Sequence, residues 1–386
     1  MKKFKKVASL ALVAALAVSS FTACGNNASN ADATAFKIGG IGPITGAAAV
    51  YGQAVKNGAQ IAVEEINAAG GINGFQIEYN FQDDEHDAEK SVNAYNTLKD
   101  WGVQMVVGST TSDPCIAVAA MTENDNVFQL TPSGSAVPCV APENVFRVCF
   151  SDPNQGMASA QYIGQNAVAT KVAVIYDSST TYSSGIYESF AAEAANQPFE
   201  IVAAEAFTAD NATDFSVQLQ KAKDAGADLV FLPIYYEAAA AILTQAAAMN
   251  FAPTFFGCDG LDGILAVEGF DVTLAEGVML LTPFAADAQD DLTVKFVASY
   301  QEKYGEIPNQ FAADAYDAVY AIKAAAEKAD VKPSMSASEI CDALKVSMTE
   351  ITVNGLTGEN MSWEASGEPN KAPKAVVIKD GAYAAL

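Results

Sequence analysis

The stretch Lys37-Ile38-Gly39-Gly40-Ile41-Gly42-Pro43-Ile44, with Val55, Ala59, Ala62, Val63 and Ile66 recurring after it and Gly70-Gly71 closing the segment, decides the fold. The first run is largely apolar and stops at Gly-Pro, as a strand buried on both faces does. The second has the period of a helix packed along one side, and the paired glycines supply the left-handed backbone that ends it. The same two patterns then repeat. Residues 75–82, 104–108 and 127–130 read as the next strands, followed by 171–177, 200–207, 228–233, 254–257 and 277–282, with helices between them. In the helix predicted over 214–225, Asp214 is the expected N-cap and Phe215, Leu219 and Ala222 form the apolar stripe. Gly164 and Gly226 mark expected helix ends, and 292–304 and 311–329 are two late helices. Such alternation builds parallel sheets with helices on both faces, so the fold class is α/β.

The chain has 386 residues, more than one hydrophobic core usually serves. Two doubly wound lobes are therefore expected, with the first break at the polar turn Asp152-Pro153-Asn154. Hydrophobic residues make up 51% and charged residues 17%, a globular balance. Against 46 Asp+Glu stand 21 Lys+Arg, and Arg147 is the lone arginine, so a nucleic-acid partner has no clustered cations to bind it. One histidine, His86, leaves little for a zinc site or a histidine-based triad.

The N-terminus carries Lys2, Lys3, Lys5 and Lys6, then an apolar run over 7–18 that is too short for a comfortable bilayer span. This is the pattern of a secretory signal. Phe21-Thr22-Ala23-Cys24-Gly25 resembles a bacterial lipoprotein signal, which implies lipidation of Cys24 after loss of 1–23 and an extracytoplasmic, membrane-anchored location. Residues 24–35 lack an apolar face and read as a flexible tether. Cys115, Cys139, Cys149, Cys258 and Cys341 remain; an odd number leaves at least one unpaired or bridged to another chain, and Cys139 with Cys149 is a possible pair. With no CxxC, burial as small apolar residues is the expected fate of most.

Open α/β sheets bind ligands beyond the carboxyl ends of their strands, where helix N-termini point. At these positions one half of the chain offers hydroxyls: Thr110, Thr111 and Ser112 after 104–108, and Ser133 and Ser135 after 127–130. The other half offers Tyr182, Tyr235 and Asp259. Hydroxyls and backbone N–H groups accept an anion, while an acid and tyrosine faces hold an ammonium. The set matches an α-amino acid zwitterion, with Ser112, Ser133 and Ser135 toward the carboxylate and Asp259, Tyr182 and Tyr235 toward the ammonium. Taken singly, each serine or threonine is as readily an N-cap and each tyrosine a packing residue.

Tyr51-Gly52, Asn57-Gly58-Ala59-Gln60 and the run from Glu65 through Gly70-Gly71-Ile72-Asn73-Gly74 resemble the opening of the branched-chain amino-acid-binding proteins of ABC importers. Asp83-Asp84, Thr131-Pro132, Phe146-Arg147, Thr213-Asp214-Phe215-Ser216 and Ala225-Gly226-Ala227-Asp228 continue the match, which runs from about Phe36 to about Trp363. The resemblance implies the type I periplasmic-binding-protein fold. Its lobes are 36–152 with 284–360 and 153–283 with 361–386, joined by three crossovers near 152–153, 282–283 and 354–362. It implies that Ser112 and Ser135 grip the ligand carboxylate, that the Ser133 carbonyl and Asp259 take the ammonium, and that Tyr182 and Tyr235 close over it. Tyr51 and Phe311 match positions near the ligand side chain. Asp259 stands where a Glu is familiar, and Thr110 and Thr111 make the first loop more polar than a purely aliphatic pocket. His86 and Thr111 fall where the cysteines of a disulfide found in some relatives would lie, so that bridge is not expected.

The implied function is hinge closure around an L-amino acid, branched-chain or otherwise aliphatic, and delivery to a membrane permease driven by a separate ATPase. The chain would act as a monomer, with no cofactor, no metal and no catalysis. A sensor ectodomain, or a receptor for an amide, a urea-like molecule or another small carboxylate, is the competing reading; a neutral amide gives Asp259 nothing to pair with. Enzymatic readings are thin. Gly40-Ile41-Gly42 lacks the third glycine and the downstream acid of a dinucleotide loop, and neither GxSxG nor HExxH occurs. His86 within Asp83-Asp84-Glu85-His86-Asp87 reads as a solvated acidic turn, and Trp101 and Trp363 as packing residues.

Overall fold

A computed structural model describes residues 33–386, so the expected signal segment, Cys24 and most of the tether lie outside the described residues. The first sheet contains β1 (Ala35–Gly42), β2 (Gln76–Asp83), β3 (Met105–Val107), β4 (Phe128–Thr131) and β5 (Val145–Arg147). Its order is β2-β1-β3-β4-β5 and every pair is parallel. Helices α1 (Ala49–Ala68), α2 (Ala88–Trp101) and α3 (Ser112–Asp125) make the crossovers. β3 and β4 are buried at every residue, which is why they read as continuous apolar runs and not as alternating ones.

The second sheet takes over at α4 (Asp152–Gln165). It is built by β6 (Lys171–Asp177), α5 (Thr181–Ala194), β7 (Glu200–Phe207), α6 (Ser216–Asp224), β8 (Leu229–Leu232), α7 (Tyr236–Ala248), β9 (Thr254–Gly257) and β10 (Met279–Thr282). The chain then returns to the first sheet with α8 (Asp291–Tyr304), α9 (Gln310–Lys328) and α10 (Ala337–Met348), and ends in β11 (Lys374–Lys379) and β12 (Ala382–Ala385). The second order is β12-β11-β10-β9-β8-β6-β7; β11 runs antiparallel to both β10 and β12, and the other pairs are parallel. Both sheets thus carry helices on two faces, and the hairpin β11–β12 closes one edge of the second. Among the described residues no helix is long and apolar enough to cross a membrane.

Three local expectations need correction. The helix predicted from Asp214 starts at Ser216, because Phe215 is fully buried and its N–H donates to Gln245 Oε1 at 2.7 Å. Asp214 caps a turn instead, its Oδ1 accepting from Ser216 N at 2.9 Å. Gly164 lies inside α4, pressed against Gln197 and Pro198, and Ala167 takes the left-handed turn beyond it. Cys139 and Cys149 are not paired: Cys139 packs with Cys115 and Ala136, and all five described cysteines are free and buried. A chromogenic disulfide reagent should therefore leave these five unmodified in the native protein and titrate all of them in guanidinium, read by absorbance.

The lobes rest on close helix packing. A Cβ on Gly58 of α1 would lie 2.0 Å from the Ala312 carbonyl oxygen of α9, so the two helices touch backbone to backbone there. Gly58→Ala should destabilise the protein by about 1–3 kcal/mol despite alanine's better helix propensity, because overpacking outweighs it. Urea unfolding measures this directly, and a gain in midpoint would contradict it.

Candidate ligand-binding site

The carboxyl ends of β3, β4, β6, β8 and β9 bring their loops to one gap between the lobes. Gly108, with φ +143°, lies so close to the Ile41 carbonyl that a side chain would not fit; the turn it makes leads through Thr110 and Thr111 into α3. The gap, mouth included, has about 210 Å³ of empty space. Tyr51, Thr110, Thr111, Ser133, Tyr182, Tyr235, Asp259 and Phe311 line it, joined by Gly260. Eight of the ten residues singled out in the sequence therefore share one cleft, although they span from 51 to 311.

Ser112 and Ser135 do not line the gap in this closed conformation. Ser112 Oγ accepts from Ala136 N at 3.2 Å, tying the α3 start to the loop after β4. Ser135 is fully enclosed, and its Oγ has no hydrogen-bond partner. The hydroxyls that do line the gap are partly committed: Ser133 Oγ donates to Thr110 O at 2.5 Å and Thr110 Oγ1 to Ile41 O at 3.3 Å.

On the opposite wall, Tyr182 stacks on Tyr235 with centroids 4.8 Å apart, and its hydroxyl donates to Asp259 Oδ1 at 2.7 Å. The same hydroxyl accepts from Gly260 N at 3.0 Å. Tyr51 reaches across from α1: its hydroxyl donates to Gly260 O and accepts from Tyr236 N at 3.2 Å, while its ring meets Phe311 at 4.3 Å. Thr181 Oγ1 donates to Asp113 Oδ1 at 2.5 Å, a second contact between the two lobes.

Four residues missed as site members support this wall. Gln155 Oε1 accepts from Asp259 N at 3.1 Å, and Gln310 Nε2 donates to Asp259 O at 3.0 Å. Gly260 seats both tyrosine hydroxyls. His86 lies in the expected acidic turn, between exposed Glu85 and Asp87, but is itself half-buried: its ring bonds Thr111 Oγ1 through Nδ1 at 2.8 Å and packs edge-on to Tyr235 at 5.4 Å, and burial lowers its pKa. Only its placement after a strand that ends in Asp83-Asp84 hinted at this.

Burial pushes the Asp259 carboxyl up from 3.8 to about 7, the Tyr182 hydrogen bond offsetting part of the effect. No lining residue carries a positive charge. Keeping Asp259 ionised in the empty closed cleft thus costs about 4 kcal/mol relative to water. Opening the cleft would expose the group to water and lower its pKa toward the ordinary range. The empty closed form then binds the extra proton between about pH 4 and 7, so closure is favoured as pH falls through that window and opposed in full above it. Small-angle scattering of the ligand-free protein should show a more compact form at pH 5 than at pH 8. Asp259→Asn should be compact at both; a wild-type profile flat with pH would contradict the assignment.

Two α/β lobes, a cleft between them that closes over one buried acid, and a chain that crosses between lobes at separated points define a two-lobed solute-binding protein. The periplasmic binding protein family model matches residues 35–382, and the chain belongs to that family. It is 33% identical over 297 residues to Leu/Ile/Val-binding protein homolog 3 of Brucella melitensis biotype 1, covering 76% of this chain and 78% of that one. It is 28% identical to the leucine-, isoleucine-, valine-, threonine- and alanine-binding protein of Pseudomonas aeruginosa, covering 89% and 90%. The branched-chain amino acid transporter substrate-binding protein LivJ of Streptococcus pneumoniae, solved in complex with isoleucine, superposes with a TM-score of 0.83 at 31% identity, covering 91% and 98%.

Proposed function

We propose that this protein is the extracytoplasmic binding component of an ABC importer, closing on an L-amino acid and delivering it to a membrane permease powered by an ATPase subunit. The observation that carries the reading is the pairing, in one cleft, of a buried Asp259 without a cation and a wall of neutral donors at the start of α3. The ligand ammonium supplies the charge that Asp259 lacks, with the Ser133 carbonyl as second acceptor. The carboxylate meets the Thr110–Ser112 and Ser133–Ser135 loops, where slight opening would free Ser112 and Ser135. Tyr182 and Tyr235 cover the ligand from the second lobe.

Tyr51 and Phe311 give its side chain an apolar wall, which supports a branched-chain or other aliphatic residue; Thr110 and Thr111 suit a short one as well. Residues 36–152 with 284–360 and 153–283 with 361–386 act as the two rigid bodies, and the monomer is the working unit. Cys24 is the lipid attachment point that keeps it at the membrane. No catalytic step is assigned to any residue.

A mature protein screened against the twenty amino acids and simple amides should gain thermal stability with branched-chain or small aliphatic L-amino acids, by about 2.7 kcal/mol at a hundredfold excess over Kd. Shifts confined to amides would refute the zwitterion reading. Asp259→Ala should weaken binding by about 2–5 kcal/mol in calorimetry, since an ammonium would then be buried unpaired. Unchanged affinity would remove Asp259 from the site.

A further inference from the structure

Arg147 is the chain's only arginine, and it is fully buried at the end of β5. Its Nη1 donates to Gly134 O at 3.1 Å and to Ser135 O, and its Nη2 donates to Ala136 O at 3.0 Å. Three consecutive carbonyls of the loop after β4 are thus gathered on one guanidinium. Ser133 of the same loop lines the gap, and Ala136 N–H is tied to Ser112 Oγ at the first turn of α3. The guanidinium therefore underlies the wall opposite Asp259.

Its charge is incompletely neutralised. Among the described residues, the one acid paired with it is Glu368 at 3.3 Å, whose side chain is 33% exposed. Asp152 also lies near, its N–H donating to Ser135 O at 3.0 Å, but burial drives its carboxyl well above the usual range and the Arg147 charge offsets only part of that. The buried thiols of Cys139 and Cys149 are likewise pushed up and neutral. A net positive field is left under the loop in a low-dielectric setting where salt screens it little.

We propose that Arg147 is a positioning residue that supplies, through the 134–136 loop, the positive field for the ligand's carboxylate. Peptide groups whose carbonyls face the guanidinium have their dipoles' positive ends directed away from it, and that of the Ser135–Ala136 peptide points at Ser112 Oγ, in the first turn of α3. The field selects ligands with an anionic group at this end over neutral isosteres. The inference rests on the amino-acid reading above and adds to it the source of the charge.

Arg147 also braces the crossover, its N–H donating to Gly367 O at 3.0 Å and its carbonyl accepting from Trp363 Nε1 at 2.7 Å. A bracing role alone would weaken all ligands equally, so the ratio of affinities decides. Calorimetry with L-leucine and L-leucinamide, which share the ammonium and side chain, reads that ratio. Arg147→Met should reduce the preference for leucine by about tenfold or more, while Arg147→Lys keeps the charge and should hold the ratio within about threefold even as both affinities fall. Glu368→Gln, at a partly exposed site, should raise the preference about two- to threefold. Where Arg147→Met does not fold, Arg147→Lys and Glu368→Gln decide. A discriminating wild type whose ratio stays constant across the folded variants would overturn the role of Arg147. A wild type that binds leucinamide as well as leucine, or binds neither, would overturn the amino-acid reading and this inference with it.

Discussion

A carboxylate with no cation of its own sits at the meeting of the two lobes, and most of the cleft is arranged around that imbalance. Asp259 is held by Tyr182 on one oxygen and by Gln155 and Gln310 on its backbone. Those contacts orient it without neutralising it. Hydrogen bonds from neutral groups recover only part of the free energy lost when an ion leaves water. The empty cleft is therefore biased against closing at neutral pH, and on the proposed reading an incoming ammonium would remove the bias. A ligand shifts such an equilibrium only through contacts it makes in one state and not the other, and the contact proposed here is with a charge. The aromatic residues exclude water and so raise the value of that one ion pair.

The crossover region treats its charges in the opposite way. Lys371 Nζ lies 2.7 Å from Asp314 Oδ1, each side chain 2% exposed, and it also donates to Val148 O and Thr357 Oγ1. Thr357 Oγ1 in turn donates to Asp317 Oδ2 at 2.6 Å, and Asp317 receives the Leu356 and Thr357 N–H groups at 2.8 Å each. These charges are satisfied within the protein, whatever fills the cleft. A buried pair of this kind adds little net stability against an apolar substitute, but it fixes one geometry where three chain segments meet. This buried network is thus polar and internally complete, while the cleft is polar and incomplete, and only the second is left open to a ligand.

How much of this was legible depended on range. Buried parallel strands write themselves as apolar runs, so β6 and β9 fall at their expected limits and β3 and β4 within a residue or two, while the edge strand β7 also falls at its limits although most of it is only half-buried. The ends of helices follow local chemistry until tertiary packing overrides it, as when Phe215 displaces Asp214 from the N-cap. The hairpin β11–β12 escaped because the alternation of strands and crossover helices does not anticipate an antiparallel edge. In the site, residue types at strand ends pointed to Asp259 and the tyrosines. Gln155 and Gln310 were invisible because they act through backbone contacts 104 and 51 positions away. The acidic turn at His86 was legible from its neighbours, but the inward contacts of its ring with Thr111 and Tyr235 were not, because they depend on residues 25 and more positions away. Ser112 is turned from the gap by its bond to Ala136 N, a loop-to-helix contact 24 positions apart that no local pattern encodes.

The length of the acid is tied to the same packing. Gly260 follows Asp259 directly, and a Cβ there would lie 2.6 Å from the Tyr182 hydroxyl and 2.8 Å from the Ile234 carbonyl oxygen. The glycine lets Tyr182 sit deep enough to hold both the carboxylate and the Gly260 N–H with one hydroxyl. That seat draws Asp259 against the second lobe, and a side chain of one methylene cannot cross the cleft by itself. The distance is recovered from the other side: Tyr51 reaches over from α1 to the Gly260 carbonyl, and Gln310 from α9 to the Asp259 carbonyl. On the proposed reading, closure of the lobes, more than extension of the acid, would bring the ammonium between Asp259 and the Ser133 carbonyl. A longer acid would reach its ligand with the lobes further apart, so for this chain recognition of the ligand's charge and completion of the closed shape would be one event.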